Sequence, residues 1–343
     1  MNLLKYICLP GLLASGDIQT VSAVESKTDK NPNILVILID DAGYNDFGFM
    51  GSKEMQTPNI DALTSEGVVF TDAHVAATVS SPSRACLITG RYGHRFGYEC
   101  NLSDRTNGLP LEEETIAEVF KTNGYRTAAI GKWHLGSRDE QHPNNRGFDL
   151  FYGMKAGGRD YFYNEKKSDR PGDERNLLLN DRQVKFEKYL TDAFSEKAVE
   201  FINESSQPFM MYLAYNAVHT PMQATDEDMA KFEGHPRQKL AAMTYALDRG
   251  VGTVIRGLKD SGKFDNTLIF FLSDNGGATT NQSSNYPLKG FKGNKFEGGH
   301  RVPYFVVWKN GIPAGKPYDG LVSSLDIFAT AIDAAGISKT RNK

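Results

Sequence analysis

From Asn33 onward, short runs of continuously apolar residues alternate with amphipathic stretches of helical length. Such runs suit strands buried on both faces, and the alternation predicts an α/β fold with a mostly parallel central sheet flanked by helices on both faces. Strands are expected at Ile34–Ile39, Thr127–Ile130, Phe209–Tyr215, Leu268–Leu272 and Tyr304–Trp308. Helices are expected at Asn59–Glu66, Ser83–Thr89, Thr115–Thr122, Thr191–Asn203, Lys239–Leu258 and Leu325–Ala335, with Pro58 and Gly124 as start and stop signals. The stretch Gly153–Asp181 is polar, glycine-bearing and charged, and reads as a long surface excursion near the site.

Before Asn33 the pattern changes. Residues 1–23 carry one lysine, Lys5, then the apolar stretch Tyr6–Ala14, then small residues ending Val21-Ser22-Ala23. That layout resembles an export signal, although Pro10, Gly11 and Gly16-Asp17 interrupt it. Residues 24–32 then read as a linker and 33–343 as one α/β domain, placed in the periplasm or outside the cell. No other segment approaches the roughly 18 apolar residues that span a bilayer.

Composition narrows the partners. The net charge is -3, so no bulk field holds a nucleic acid, and an anionic substrate must be bound by local cations. Three cysteines, Cys8, Cys86 and Cys100, are too few and too irregular for a zinc site or a disulfide framework. They read as structural, with a Cys86–Cys100 pairing left open.

In open α/β sheets, ligands bind outside the carboxyl ends of the strands. There the expected strands run into Asp40-Asp41, into Asp274-Asn275-Gly276-Gly277, into Gly131-Lys132-Trp133-His134, and into Asn216 and His219-Thr220-Pro221. Three gathered carboxylates would resist ionising together unless a cation neutralised them, and the carboxylate and amide donors are oxygens, which favours calcium, with magnesium second. His134 and His219 keep a zinc reading open. The plainer reading makes these aspartates turn residues or helix caps, but two separated strands ending alike argue for a shared site.

A second constellation is Ser80-Ser81-Pro82-Ser83-Arg84-Ala85-Cys86-Leu87-Ile88-Thr89-Gly90-Arg91. Pro82 fits a first helical turn, so Ser80 would lie at or just before a helix N-terminus, where unpaired N–H groups favour an anion. Arg84, one turn on, could face back toward it. An isolated Ser-x-Pro-Ser-Arg would be a plain helix cap. With the closing Thr-Gly-Arg, the segment resembles the signature of the formylglycine-dependent sulfatases of the alkaline-phosphatase superfamily.

The resemblance runs from Asn33 to about Gly336. It takes in Pro58-Asn59-Ile60-Asp61-Ala62-Leu63 with Gly67-Val68-Val69-Phe70, Gly131 to Gly136, His219-Thr220-Pro221, Lys289-Gly290-Phe291-Lys292 and Glu297 to Pro303. It implies a sulfuric ester hydrolase in which a radical maturation enzyme, as partner, oxidises Ser80 to formylglycine. By the same resemblance Asp40, Asp41, Ser80, Asp274 and Asn275 would hold calcium, and Lys132 and Lys292 would bind the sulfate. Ser80 would be the nucleophile, Arg84 would hold its gem-diol or oxyanion, His134 would assist its hydroxyl, and His219 would protonate the leaving alcohol. His74, His94, His142, His235 and His300 read as structural or substrate-contacting, His94 and His300 foremost as contacts.

The family usually continues into a smaller C-terminal domain, which this sequence, ending at Lys343, is expected to lack. A phosphoesterase on the same scaffold and a non-catalytic binder of sulfated glycans are the competing readings. For the substrate, the segments from Arg146 and Gly157 resemble those of sulfatases acting on sulfated sugars, with Arg159 and Asp160 as candidate contacts and Tyr161 as a stacking face.

Overall fold

The structure is a computed structural model and describes residues 31–101 and 108–338. The export-signal stretch lies outside the described residues. The strands are β1 (Asn33–Ile39), β2 (Val68–Phe70), β3 (Ala73–His74), β4 (Arg126–Lys132), β5 (Leu150–Met154), β6 (Leu178–Leu179), β7 (Arg182–Gln183), β8 (Phe209–Ala214), β9 (Thr267–Ser273), β10 (Tyr304–Val307) and β11 (Val322–Ser323). The α-helices are α1 (Pro58–Thr64), α2 (Ser80–Thr89), α3 (Ile116–Thr122), α4 (Leu190–Glu204), α5 (Asp226–Ala230), α6 (Gln238–Asp260), α7 (Glu297–His300) and α8 (Asp326–Ala334).

Nine strands form one sheet in the order β2-β10-β9-β1-β8-β4-β5-β6-β7, and β3 pairs with β11 apart from it. The five central strands, β9 through β5, are parallel. The edges turn antiparallel, through β10 and β2 on one side and β6 and β7 on the other. The expected strand at Tyr304–Trp308 is therefore present as β10 but runs against its neighbour β9, so it presents its amino end at the edge where the parallel strands present their carboxyl ends.

Strand β1, Asn-Ile-Leu-Val-Ile-Leu-Ile, is buried along its whole length because it lies between β8 and β9 and feeds two cores. Leu35, Ile37 and Ile39 join a cluster with residues of α1, α4 and α6. Ile34, Val36 and Leu38 join one with residues of α2, α3 and α8. This is the doubly covered sheet that a continuous apolar run predicts.

Helix α2 begins at Ser80, three residues earlier than the apolar pattern suggests, and every one of its residues is buried. It has no side-chain cap at Val79. It ends at Gly90, whose φ of 62° suits glycine and where a Cβ would come within 2.6 Å of Phe328. Helix α3 starts with a reciprocal capping box between Thr115 and Glu118. Cys86 and Cys100 are both free, the first buried and the second exposed, which settles the open pairing. Among the described residues no helix is long and apolar enough to cross a membrane.

Candidate active site

The parallel strands deliver their following residues to one edge, and register sets the geometry. Ile39 lies beside Ser273, so the chain leaves β1 and β9 together; Asp274 N–H donates to Ile39 O at 2.8 Å. Asp41 N–H reaches Asp274 Oδ1 at 3.3 Å. Asp41 and His134 hold left-handed backbone angles, φ 63° and 58°, a cost of about 1–3 kcal/mol each that folds tend to retain at functional sites.

Asp40, Asp41, Asp274, Asn275, Ser80, Arg84 and Lys132 are all essentially buried and converge. Ser80 Oγ, in the first residue of α2, donates within 3.2 Å of both Asp40 Oδ1 and Asn275 Oδ1. Lys132 donates to Asp40 Oδ2 at 2.6 Å. Arg84 grips Asp274 Oδ2 through Nε and Nη2 at 3.0 and 2.8 Å and donates from Nη1 to Lys132 O at 3.1 Å. Its Nη2 also lies 3.7 Å from Asp40 Oδ1. Asn275 Nδ2 and Lys292 Nζ both donate to Asp41 Oδ1, at 2.8 and 2.6 Å. Not all donors at the α2 N-terminus face the site, because Ser81 N–H is taken by Asn101 Oδ1 at 2.9 Å.

The electrostatics follow from this packing. Burial works to raise the Asp40 carboxyl, but Lys132, His219 and Arg84 outweigh it and hold it below its ordinary range. Burial likewise opposes the Lys292 charge, and Asp40, Asp41 and Asp274 outweigh that to raise it. His134 is held well below the usual imidazole value, first by burial and then by Lys132, Arg84 and Lys292.

His219 directs its Nδ1 proton to Thr220 O at 2.6 Å, which turns Nε2 toward Asp41 Oδ2 at 3.7 Å. The glycine pair before Arg159 packs against both imidazoles: a Cβ on Gly157 would stand 2.6 Å from His134 Nε2, and one on Gly158 3.3 Å from His219. Every residue that the sequence assigned to the nucleophile, the metal, the sulfate and acid–base work is thus in one constellation.

The donor chemistry suits a hard cation. Asp40, Asp41, Asp274 and Asn275 offer oxygens, and ligand atoms of Asp40, Asp41 and His219 lie within 4.8 Å of one another. Arg84 already holds Asp274 Oδ2, as Lys132 holds Asp40 Oδ2. Beside this set, His134 Nδ1 and Asn216 Oδ1 are buried with no hydrogen-bond partner among the described residues. Buried polar atoms are normally satisfied, so these two are open to a group bound beside the carboxylates.

The readings beyond the central constellation need correction. Arg159 is 2% exposed and paired through Nη2 with both oxygens of Asp169 at 2.8 Å. Asp160 is occupied by Ser168 and Gln223. Tyr161 is fully buried and offers no stacking face; its hydroxyl lies 2.6 Å from Asn216 O and 2.8 Å from His219 O. The polar excursion over residues 153–181 is therefore partly interior, because its charges pair with one another.

Residues the sequence did not flag also build the site. Asn281 Nδ2 donates to Asp41 O and Val218 O at 3.1 and 2.9 Å, and Ser283 Oγ donates to Asp41 O at 3.0 Å. They tie the loops after β1, β8 and β9, and no motif marks them.

A family model described as Sulfatase matches residues 32–337. The chain is 34% identical to the uncharacterized sulfatase YdeN of Escherichia coli (strain K12), over 92% of this chain and 64% of that protein. It is 36% identical to arylsulfatase G of Mus musculus, over 91% and 66%. It thus spans just under two thirds of the length of these curated relatives. Among solved structures, Ps i-CgsB in complex with k-i-k-neocarrahexaose superposes with a TM-score of 0.85 at 43% identity, covering 91% of this chain and 74% of that one.

Proposed function

The chain belongs to the sulfatase family, and we propose that it removes sulfate from a sulfated carbohydrate, with Ser80 oxidised to formylglycine and a calcium ion in the carboxylate cluster. The observation that carries this reading is the position of Ser80 Oγ, at the head of α2 and 3.2 Å from two of the would-be calcium ligands, Asp40 and Asn275. A nucleophile so placed can attack a sulfur atom whose oxygens touch the same cation.

Asp40, Asp41, Asp274 and Asn275 would hold the calcium, which when bound polarises the sulfuryl oxygens as a Lewis acid. Formylglycine at residue 80 would supply, as its hydrate, two hydroxyls, one to displace the sugar oxygen from sulfur and one to let sulfate leave with return of the aldehyde. His219 Nε2 delivers a proton to the departing sugar oxygen. His134, kept neutral by burial and its cationic neighbours, is the base for the formylglycine hydroxyl. Lys132 and Lys292 neutralise sulfate charge, and Arg84 steadies the oxygen on residue 80.

The carbohydrate is inferred from the likeness to Ps i-CgsB, solved with k-i-k-neocarrahexaose, which makes that hexaose the first substrate to try. A radical maturation enzyme acting on Ser80 is the implied partner, and residues 1–23 imply export.

The test is a peptide mass spectrum across Ser80, on protein made with an anaerobic serine-type maturation enzyme, paired with sulfate release from the hexaose. Loss of two hydrogens at Ser80 together with sulfate release is expected, with Ser80→Ala inactive. An unmodified Ser80 beside a converted control protein, or faster turnover of a matched phosphate ester, would overturn the reading.

A further inference from the structure

Outside the carboxylate cluster, a second group of metal-ligating side chains stands where β3 meets α7. The backbones there are laddered together: Val75 N–H donates to His300 O at 2.8 Å and Val302 N–H to Ala73 O at 2.9 Å. This pairing brings His74 beside His300, the rings tilted by 35° with centroids 5.1 Å apart and Nδ1 of one 2.9 Å from Nδ1 of the other. Glu297 lies three residues before His300 on α7 and so shares its face. Ligand atoms of His74, Glu297 and His300 all fall within 4.8 Å of one another.

The tautomer of His74 is set from outside the group. Its Nε2 lies 2.9 Å from the Asp72 carboxylate, an acceptor only, so the proton sits on Nε2 and the Nδ1 lone pair faces His300. A carboxylate behind an imidazole whose free nitrogen faces other donors is the arrangement that orients histidines on metal ions. Two nitrogens about 2.0–2.1 Å from one zinc ion stand roughly 3.3–3.4 Å apart at the tetrahedral angle, so the pair has to open by about 0.4–0.5 Å to share the ion. Glu297, which also contacts Arg301 at 3.3 Å, completes a two-nitrogen, one-carboxylate set. The His74 side chain is 17% exposed, so an ion can enter from solvent.

We propose that His74, His300 and Glu297, oriented by Asp72, form a second divalent-metal site that prefers zinc, distinct in donor type from the all-oxygen calcium set. It shares no residue with those assigned to the nucleophile, the calcium, the sulfate or acid–base work; His300, which the sequence offers as a substrate contact, would be claimed by the ion instead.

Zinc is titrated calorimetrically into full-length protein stripped of metals and then supplied with excess calcium, which occupies the carboxylate cluster. One equivalent of zinc per chain at micromolar affinity or better is expected, weakened at least about 100-fold in both His74→Gln and His300→Gln. Asp72→Asn should weaken it about 10- to 100-fold, the usual effect of losing an orienting partner. Thermal melts without zinc show whether each variant folds, and His300→Gln decides if His74→Gln does not. No zinc equivalent under excess calcium would mean that the two rings share only a hydrogen bond, and the proposal fails. It fails equally if an equivalent survives in the histidine variants but is lost in His219→Asn, since the ion then sits in the carboxylate cluster.

Discussion

Lys292 and the Asn275 amide converge on the same oxygen, Asp41 Oδ1, at 2.6 and 2.8 Å. Lys132 holds Asp40 and Arg84 holds Asp274 in the same way, so three side-chain cations lie on three carboxylates. A calcium ion must compete with these cations for the oxygens, whereas an incoming sulfate gives the lysines another anion to face. The two ligands should therefore assist each other. Calcium affinity, measured calorimetrically, is expected to rise about 5- to 150-fold in saturating inorganic sulfate, the usual span of coupling between sites. Lys292→Met should bind calcium more tightly without sulfate and lose most of the coupling; equal affinities with and without sulfate would refute the competition.

Tyr161 is expected to act as a positioning residue. Burial raises its phenol well above its ordinary value, so the hydroxyl stays a donor, shared between the Asn216 and His219 carbonyls. Tyr161→Phe frees those carbonyls and lets the His219 loop drift. Because small misplacements of reacting groups are costly, kcat should fall about 10- to 100-fold with KM nearly unchanged, while the urea midpoint moves little. A KM effect alone would instead favour direct contact with substrate.

How far the sequence foretold this site depends on distance along the chain. The parallel strands were legible because a strand buried on both faces must be apolar throughout, as β1 is, and the residues after each strand could be listed from topology alone. The start of α2 was legible only through Pro82, which put a helix N-terminus at or just before Ser80, because Ser80-Ser81-Pro82-Ser83 has no apolar periodicity and its N-terminus has no side-chain cap. Arg159 and Asp160 were misjudged for a related reason. A charge reads as exposed until its partner is known, and the Asp169 that buries Arg159 cannot be picked out from composition. Asn281 bridges Asp41 and Val218, sites far apart in sequence, and left no local trace.

Arg159 itself should be a stability residue. Its ion pair with Asp169 is completely buried on both sides, and breaking a buried pair from one side costs about 3–5 kcal/mol because the other charge is stranded. Arg159→Met should lower unfolding stability by that order in urea titrations, whereas the doubly neutral variant with Asp169→Asn should recover much of the loss. If Arg159→Met kept wild-type stability and raised KM, the substrate-contact reading would return.

His134 predicts a pH dependence of stability. Its folded value lies well below the ordinary imidazole range through burial and the nearby Lys132, Arg84 and Lys292 charges. As pH falls below about 6.5 the unfolded chain takes up a proton at this position that the folded protein refuses, so folding stability declines, by at most about 1.4 kcal/mol per pH unit from this one group. The sign would reverse for a histidine raised by an acidic partner. His134→Asn removes the titration while suiting the left-handed backbone, which asparagine tolerates better than most residues. Urea unfolding at pH 7.5, 6.5 and 5.5 should show the wild type losing stability more steeply than the variant, with the two curves diverging only below about pH 6.5. Parallel curves across that range would mean that folded His134 takes up its proton as readily as the unfolded chain does, so that burial and the cationic neighbours do not hold it neutral below about pH 6.5.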